Sequence, residues 1–202
     1  MSPSPAKPAR EPDVDFFELW QEKLFLGQEF LTWLWLSSEV DSRFELPGGL
    51  IVEAWFEKSL RLESGFGASK RSVACQCPED VEDQGGGRPW AEAFAAVMER
   101  KKMSSGRLRI KNDNREWLLN LPADTLTPTS IKLVSGANFA EDDESGPAGQ
   151  LLDRAAVTLE LLNAVEALFA QFLKLRLSAD WTTKEVPRLQ GWLKKWRQER
   201  QN

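Results

Sequence analysis

"LFLGQEFLTWLWLSSEV", residues Leu24 to Val40, decides how the rest of the chain must be arranged. Phe30, Leu31, Leu34 and Ser38 fall on one helical face at three- and four-residue spacing, with Gly27 leading in. Trp33 and Leu36 lie beside that face, and Trp35 carries the apolar arc further round. A helix apolar over most of its circumference is packed on two or more sides, so the spacing predicts a central helix from about Gly27 to Glu39. The two tryptophans then read as core rather than as a ligand box. The apolar run ends at Leu36 and contains Gln28 and Glu29, well short of the roughly twenty apolar residues a membrane span needs. A buried helix is expected, not an anchor.

Before this helix, "MSPSPAKPAREPDVD" is rich in Pro and Ser and reads as a disordered tail over residues 1–14. It has no apolar core of the signal-peptide kind. Asp13 to Gln21 is expected to be a lead-in of one or two helical turns.

After it, the period changes to two. Phe44 and Leu46 alternate with polar neighbours, Pro47, Gly48 and Gly49 make a turn, and Ile51 to Phe56 is extended. Leu60 and Leu62 alternate with Arg61 and Glu63, and "KRSVACQC" (Lys70–Cys77) supplies a further strand. This reads as an antiparallel meander of about four strands. The polar break "PEDVEDQGGGRP" is no phosphate cradle, because it lacks a Lys-Ser/Thr ending and no apolar strand feeds it with the required glycine spacing. A helix is predicted over Trp90 to Lys102, with Trp90, Phe94, Val97 and Met98 on one stripe. Its end carries Arg100, Lys101 and Lys102, where cations complement the helix dipole.

"GRLRIKNDNREWLLNLP" is the clearest hairpin. Leu108 and Ile110 alternate with Arg107, Arg109 and Lys111, and Trp117, Leu119 and Leu121 return on the far side of the turn. Leu118 makes the other face partly apolar too. Ile131 to Val134 is a short final strand, followed by an acidic linker, "SGANFAEDDESGPAG". The longest helix is predicted over Leu151 to Leu177, with a stripe of Leu152, Ala155, Leu159, Leu162, Val165, Phe169, Phe172 and Leu173. At 1.5 Å per residue it spans roughly 40 Å and is expected to pack across the sheet. A last helix, about Thr183 to Gln198, carries Leu189, Trp192, Leu193 and Trp196.

The fold class expected is therefore α+β: an antiparallel sheet of about six to seven strands against a long C-terminal helix and an apolar N-terminal helix. Residues 15–181 form one domain. Residues 182–202 form a basic, Trp-bearing helix that packs on the body or on a partner.

The chain has 202 residues, 42% hydrophobic and 28% charged, the balance of a soluble globular protein. Nine Trp and eleven Phe against no Tyr place the aromatic mass inside. The absence of His removes the usual general base and the commonest transition-metal ligand. Cys75 and Cys77, two apart on a strand, read as reduced thiols and cannot complete a zinc site unaided. Reduced thiols and the missing leader make the expected compartment the bacterial cytoplasm. No motif arranges a nucleophile with a base, so no catalytic residue, metal, cofactor or small-molecule substrate is assigned.

Charge is segregated along the chain. Arg88 to Glu116 carries eight basic and four acidic residues, and Thr182 to Asn202 six and two, in a chain of net charge −5. Arg107, Arg109 and Lys111 stand at a period of two, about 6.6 Å apart, a spacing able to follow a phosphate backbone. The plainer reading of that row is a solvated strand face. Arg100, Lys101, Lys102 and Arg115 join it as candidate DNA contacts. Trp192, Trp196, Lys194, Lys195 and Arg197 are candidate interaction residues on the last helix, its apolar side packed and its cations in water; a stacking platform for bases is the alternative.

"FLGQEFLTWLWLSSE", "FELPGGLIVEAWFEKSLRLES", "RLRIKNDNREWLLNLPADTLTPTSIKL" and "LFAQFLKLRLSADW" together resemble the carboxyl-terminal half of RdgC-like proteins, over about Phe25 to Trp181. That resemblance implies a non-enzymatic protein that binds duplex DNA with little sequence preference, forms a ring-shaped homodimer and restrains RecA-driven strand exchange. This chain is shorter than the family's standard members and acidic overall, so DNA would have to meet a localised basic surface. The alternative is a protein-interaction or assembly module with no nucleic-acid role.

Overall fold

The computed structural model describes residues 16–64, 71–76, 91–99, 101–135 and 146–198. The first helix, α1 (Phe16–Val40), is one unbroken element of 25 residues. It begins well before the expected start at Gly27. Glycine suggested a boundary, but here it answers a packing need: a methyl at Gly27 would collide with the carbonyl oxygen of Ala123. Phe30, Leu31, Leu34 and Trp35 are fully buried, and Trp33, Leu36, Gln28 and Ser37 nearly so. The central position expected from its all-round apolarity is what the fold contains.

Six strands form one antiparallel sheet: β1 (Arg43–Glu45), β2 (Ile51–Ser64), β3 (Arg71–Gln76), β4 (Lys102–Lys111), β5 (Glu116–Pro122) and β6 (Thr129–Ser135). The order is β1-β2-β4-β5-β6, and β3 also pairs with β2. The sheet is thus not the sequential meander expected for its first half. β2 is a single strand of 14 residues, joining what the sequence reading split at Phe56 and Leu60, because a bulge between those two residues carries the strand across the break in alternation. One edge of β2 holds β1 along its first half (Phe44↔Val52) and β3 along its second (Leu60↔Cys75); its other edge holds β4. Gly48 and Gly49 both take positive φ, 87° and 79°, in the turn between β1 and β2, where a side chain would be strained.

The inner face of the sheet carries Val52, Ala54, Phe56, Leu60, Leu62, Met103, Leu108, Ile110, Trp117, Leu119 and Leu121, all buried. α1 lies on it. The Met103 amide donates to the Thr32 hydroxyl at 2.9 Å, which itself donates to the Gln28 carbonyl at 2.7 Å, tying helix to strand. α2 (Ala91–Met98) is shorter than the predicted Trp90–Lys102: Met98 is already exposed, and Lys102 begins β4 rather than ending a helix. The β-alternation starting at Met103 wins over helical spacing. Trp90, Arg100, Cys77, most of the glycine-rich break, most of the acidic linker and the N-terminal tail lie outside the described residues.

α3 (Gly146–Arg176) has 31 residues and starts before the expected Leu151. Its C-terminal part packs on α1, and nearer its N-terminus Glu160 reaches Arg115 and Asn112 at the β4–β5 turn. Phe172 meets Phe30 and Trp33 with ring centroids 5.6 and 5.5 Å apart, and Phe169 meets Phe30 at 5.2 Å. The buried stripe is Val157, Leu161, Ala164, Val165, Leu168 and Phe172. Of the stripe predicted from sequence, Val165 and Phe172 are buried, whereas Leu152, Leu159 and Leu162 are exposed. The helix offers two apolar stripes, and the core takes the other one. By length and composition Ala148–Arg176 is the one helix among the described residues apolar enough to cross a membrane, and a third of its most apolar stretch is buried in the fold.

A π-helical turn (Trp181–Glu185) leads into α4 (Val186–Gln198). Leu189 is buried and Trp192 meets Phe94 edge-on at 5.1 Å, so α4 rests on the body. The Glu185 carboxylate accepts from the Trp33 indole at 2.8 Å and from Arg188, whose guanidinium also donates to the Ser37 hydroxyl at 3.1 Å. Burial pushes the Glu185 pKa up, but hydrogen bonds from Arg188 and Trp33 outweigh it and hold the carboxyl below its usual range.

Candidate functional site

The alternation of β4 does what the sequence suggests. Leu108 and Ile110 point in, and Arg107, Arg109 and Lys111 point out, onto the sheet face that carries no helix among the described residues. What the sequence reading missed stands on the neighbouring strands. Glu53, Trp55 and Glu57 occupy the outward positions of β2, beside β4, and Glu116 starts β5 on its other side.

Arg109 is the centre of this face. Its guanidinium grips both oxygens of Glu57, Nε at 2.8 Å and Nη2 at 2.9 Å, while Nη1 bonds to Glu116. It also lies over the Trp55 ring, 5.8 Å from the centroid. The hydrogen bonds to Glu57 raise its pKa further. Lys111 sits 3.8 Å from Glu53. Arg115, at the β4–β5 turn, pairs with Glu160 of α3, which also accepts from Asn112 at 2.8 Å.

The remaining candidates are dispersed. Lys101 pairs with Glu99, and that bond holds the Glu99 carboxyl below its usual range. Lys102 turns to the helical side, 3.3 Å from Glu29, which Arg176 of α3 reaches at 3.0 Å. Burial lowers the Lys102 pKa there, against the pull of Glu29. Lys101, Lys102, Arg109, Lys111 and Arg115 are therefore each matched by a carboxylate. The shared, water-facing cluster of cations that would track a phosphate backbone does not form from them, and Arg100 lies outside the described residues. The sequence holds half of the signal: "VEAWFE" puts carboxylates at the outward period-two positions of β2, and they complement the cations of β4 once the two strands are known to be neighbours.

Arg107 differs. It stands opposite Asn120, and among the described residues its Nε, shut off from solvent, has no acceptor and its guanidinium no carboxylate partner. Arg61, exposed on β2, and Lys132, exposed on β6, have no carboxylate partner among the described residues either. Beside Arg61 is a groove of about 370 Å³, lined by polar residues such as Ser59, Ser105 and Asn120 and by apolar ones such as Leu60, Ala74 and Pro122.

On α4, Lys194 and Lys195 are exposed and have no carboxylate partner among the described residues, and Trp192 is half-buried against Phe94, which favours packing over base stacking for that ring. The side chains of Trp196 and Arg197 are outside the described residues. Cys75 is buried and free on β3, and burial pushes its thiol pKa up, away from the reactive thiolate.

The other surface that sequence reasoning missed is on α3. Leu151 and Leu152 are 69% and 70% exposed, Leu159 58% and Leu162 39%. The spacing of Leu152, Leu159 and Leu162 fits a packed stripe, but the stripe that the core takes lies round the helix from them. Set against known proteins, the chain matches no family model, no curated protein and no solved structure.

Proposed function

We propose that this chain is a protein-interaction and assembly module, whose working surface is the exposed leucine strip of α3. The observation that carries the reading is the exposure of Leu151, Leu152, Leu159 and Leu162 on one helix. Monomers keep contiguous apolar patches to a few hundred Å², and larger ones mark binding surfaces. The ion pairs on β4 support the same choice. A guanidinium already held by two carboxylates, as Arg109 is, must give up those bonds to reach a phosphate. Size-exclusion chromatography of extracts containing the tagged chain tests the reading. The parent should elute well above 22.9 kDa, and the double variant Leu152→Ser, Leu162→Ser should elute later. Identical elution of the two would overturn it.

A second reading follows the family resemblance: a non-enzymatic, cytoplasmic DNA-binding protein of the RdgC type that restrains RecA. Arg61, Arg107 and Lys132 favour it, because they share the helix-free face of the sheet and have no carboxylate partner among the described residues. Three cations would give a shallow salt dependence of duplex affinity, a log–log slope of about −3. Arg61→Glu with Lys132→Glu should weaken binding and flatten that slope. Low-salt affinity no better than that of an unrelated acidic protein would remove this reading.

A further inference from the structure

We infer that the exposed strip of α3 pairs with the same strip on a second copy of this chain, the two helices running antiparallel with Leu152 facing Leu162 and Ala155 facing Leu159. The inference rests on the assembly reading and names its partner.

Leu152, Ala155, Leu159 and Leu162 follow one another at three-, four- and three-residue intervals, the spacing of a two-helix seam. From Leu151 to Ala156 every residue is exposed, so this end of the helix stands clear of the body and leaves room for another helix alongside. A two-fold axis makes a surface complement itself, and this strip does so in one direction only. Antiparallel pairing sets the small Ala155 against the large Leu159 in two successive layers, filling space evenly. It also carries the next seam position, Glu166, past the end of the partner strip to a point opposite Ala148. Parallel pairing would put Glu166 against Glu166, a like-charge contact in the seam.

The residues beside the seam, Leu151, Ala156, Thr158 and Asn163, are uncharged and bring no repulsion. A bilayer surface fits the strip less well. Helices that lie on lipid flank their apolar face with Lys and Arg. The exposed half of α3 offers Arg154 as its cation, against Asp153, Glu160 and Glu166. A seam of four side chains is short beside a standard interface of roughly 20–30 residues a side, so the pairing is expected to be concentration-dependent, on the order of micromolar.

Sedimentation velocity of the purified full chain, from about 1 to 200 µM, reads the pairing directly. The mass should rise from 22.9 kDa toward twice that value, and Leu152→Glu should hold it at the lower value. Leu152 is 70% exposed where the helix stands clear, so this variant keeps the fold, which circular dichroism verifies. Direction is read by oxidative cross-linking, with the parent as control for its own Cys75 and Cys77. Ala156→Cys lies at the two-fold axis and should cross-link to its copy. Leu162→Cys should not, because antiparallel copies of it are about 15 Å apart along the helix. A monomer at all concentrations, or a mass rise that Leu152→Glu leaves unchanged, overturns the inference. Cross-linking through Leu162→Cys but not Ala156→Cys overturns its antiparallel register. Co-sedimentation with phosphatidylcholine vesicles, abolished by Leu152→Glu while the free chain stays monomeric, would make lipid the occupant and overturn the second copy. Loss of a heavier species in extracts on mutating the strip, with the purified chain monomeric, would defeat this inference and leave the assembly reading intact.

Discussion

Leu108 and Arg109 are neighbours on β4, yet they belong to two different kinds of surface. Leu108 is fully buried among side chains that arrive from α1 and three strands, and its surroundings are interchangeable hydrocarbon. Arg109 faces the other way and depends on three particular groups, Glu57, Glu116 and the Trp55 ring. The inner face is held by area removed from water, which many residues share. The outer face is held by pairwise geometry, which a single substitution can unmake. The difference teaches that a row of cations read from one strand says little until the strands beside it are known.

Substitutions sort along that contrast. Leu108→Ala empties a close-packed site and should lower stability by about 2–5 kcal/mol, measured by urea unfolding. An effect below about 1 kcal/mol would mean the inner face is looser than its burial suggests. Gly27→Ala pushes a methyl into the Ala123 carbonyl and should cost about 1–3 kcal/mol, although alanine is the better helix former. A gain in stability would show that α1 can shift away from the loop after β5. Arg109→Met keeps most of the stem but leaves Glu57 and Glu116 facing one another. About 1–2 kcal/mol is expected at pH 7, discounted for the partial exposure of all three groups. A double-mutant cycle with Glu57→Gln should show coupling, and strict additivity would mean the pair contributes nothing.

The smallest effect concerns pH. The folded pKa of Glu185 lies below its unfolded value of about 4.3. Its contribution is therefore complete above that unfolded value and is lost as pH falls through the folded pKa. Glu185→Gln should flatten the acid limb of a stability–pH curve while leaving the slope between pH 6 and 8 unchanged. An unchanged acid limb would place the acid sensitivity elsewhere.

These two faces also explain what could be read in advance. The α+β class, the central α1, the β4–β5 hairpin and the inward set Leu108, Ile110, Trp117, Leu119 and Leu121 follow from periodicity, which is a property of one segment at a time. Leu118 was legible as an apolar residue on the outer face, and it is buried there between Arg109 and Lys132 on the flanking strands. The long β2 was not, because a bulge interrupts alternation without ending a strand. The exposure of Leu152, Leu159 and Leu162 was not legible either. A helix with two apolar stripes does not say which one its neighbour will cover. The ion pairs of β4 required knowing that β2, rather than β3, lies beside it.

The length of β2 has a consequence for how the chain emerges during synthesis. β2 leaves the ribosome long before β4, its principal partner, exists, and can meet only β1 and then β3 on one side. For that interval an alternating strand with an open flank is an invitation to pair with other nascent chains. Glu57 waits longest on that flank for its partner, Arg109 of β4, whereas Glu53 already has Arg43 opposite it on β1. Until β4 is made, the unpaired charge of Glu57 works against pairing between two nascent copies of the strand, because like charges set opposite one another repel.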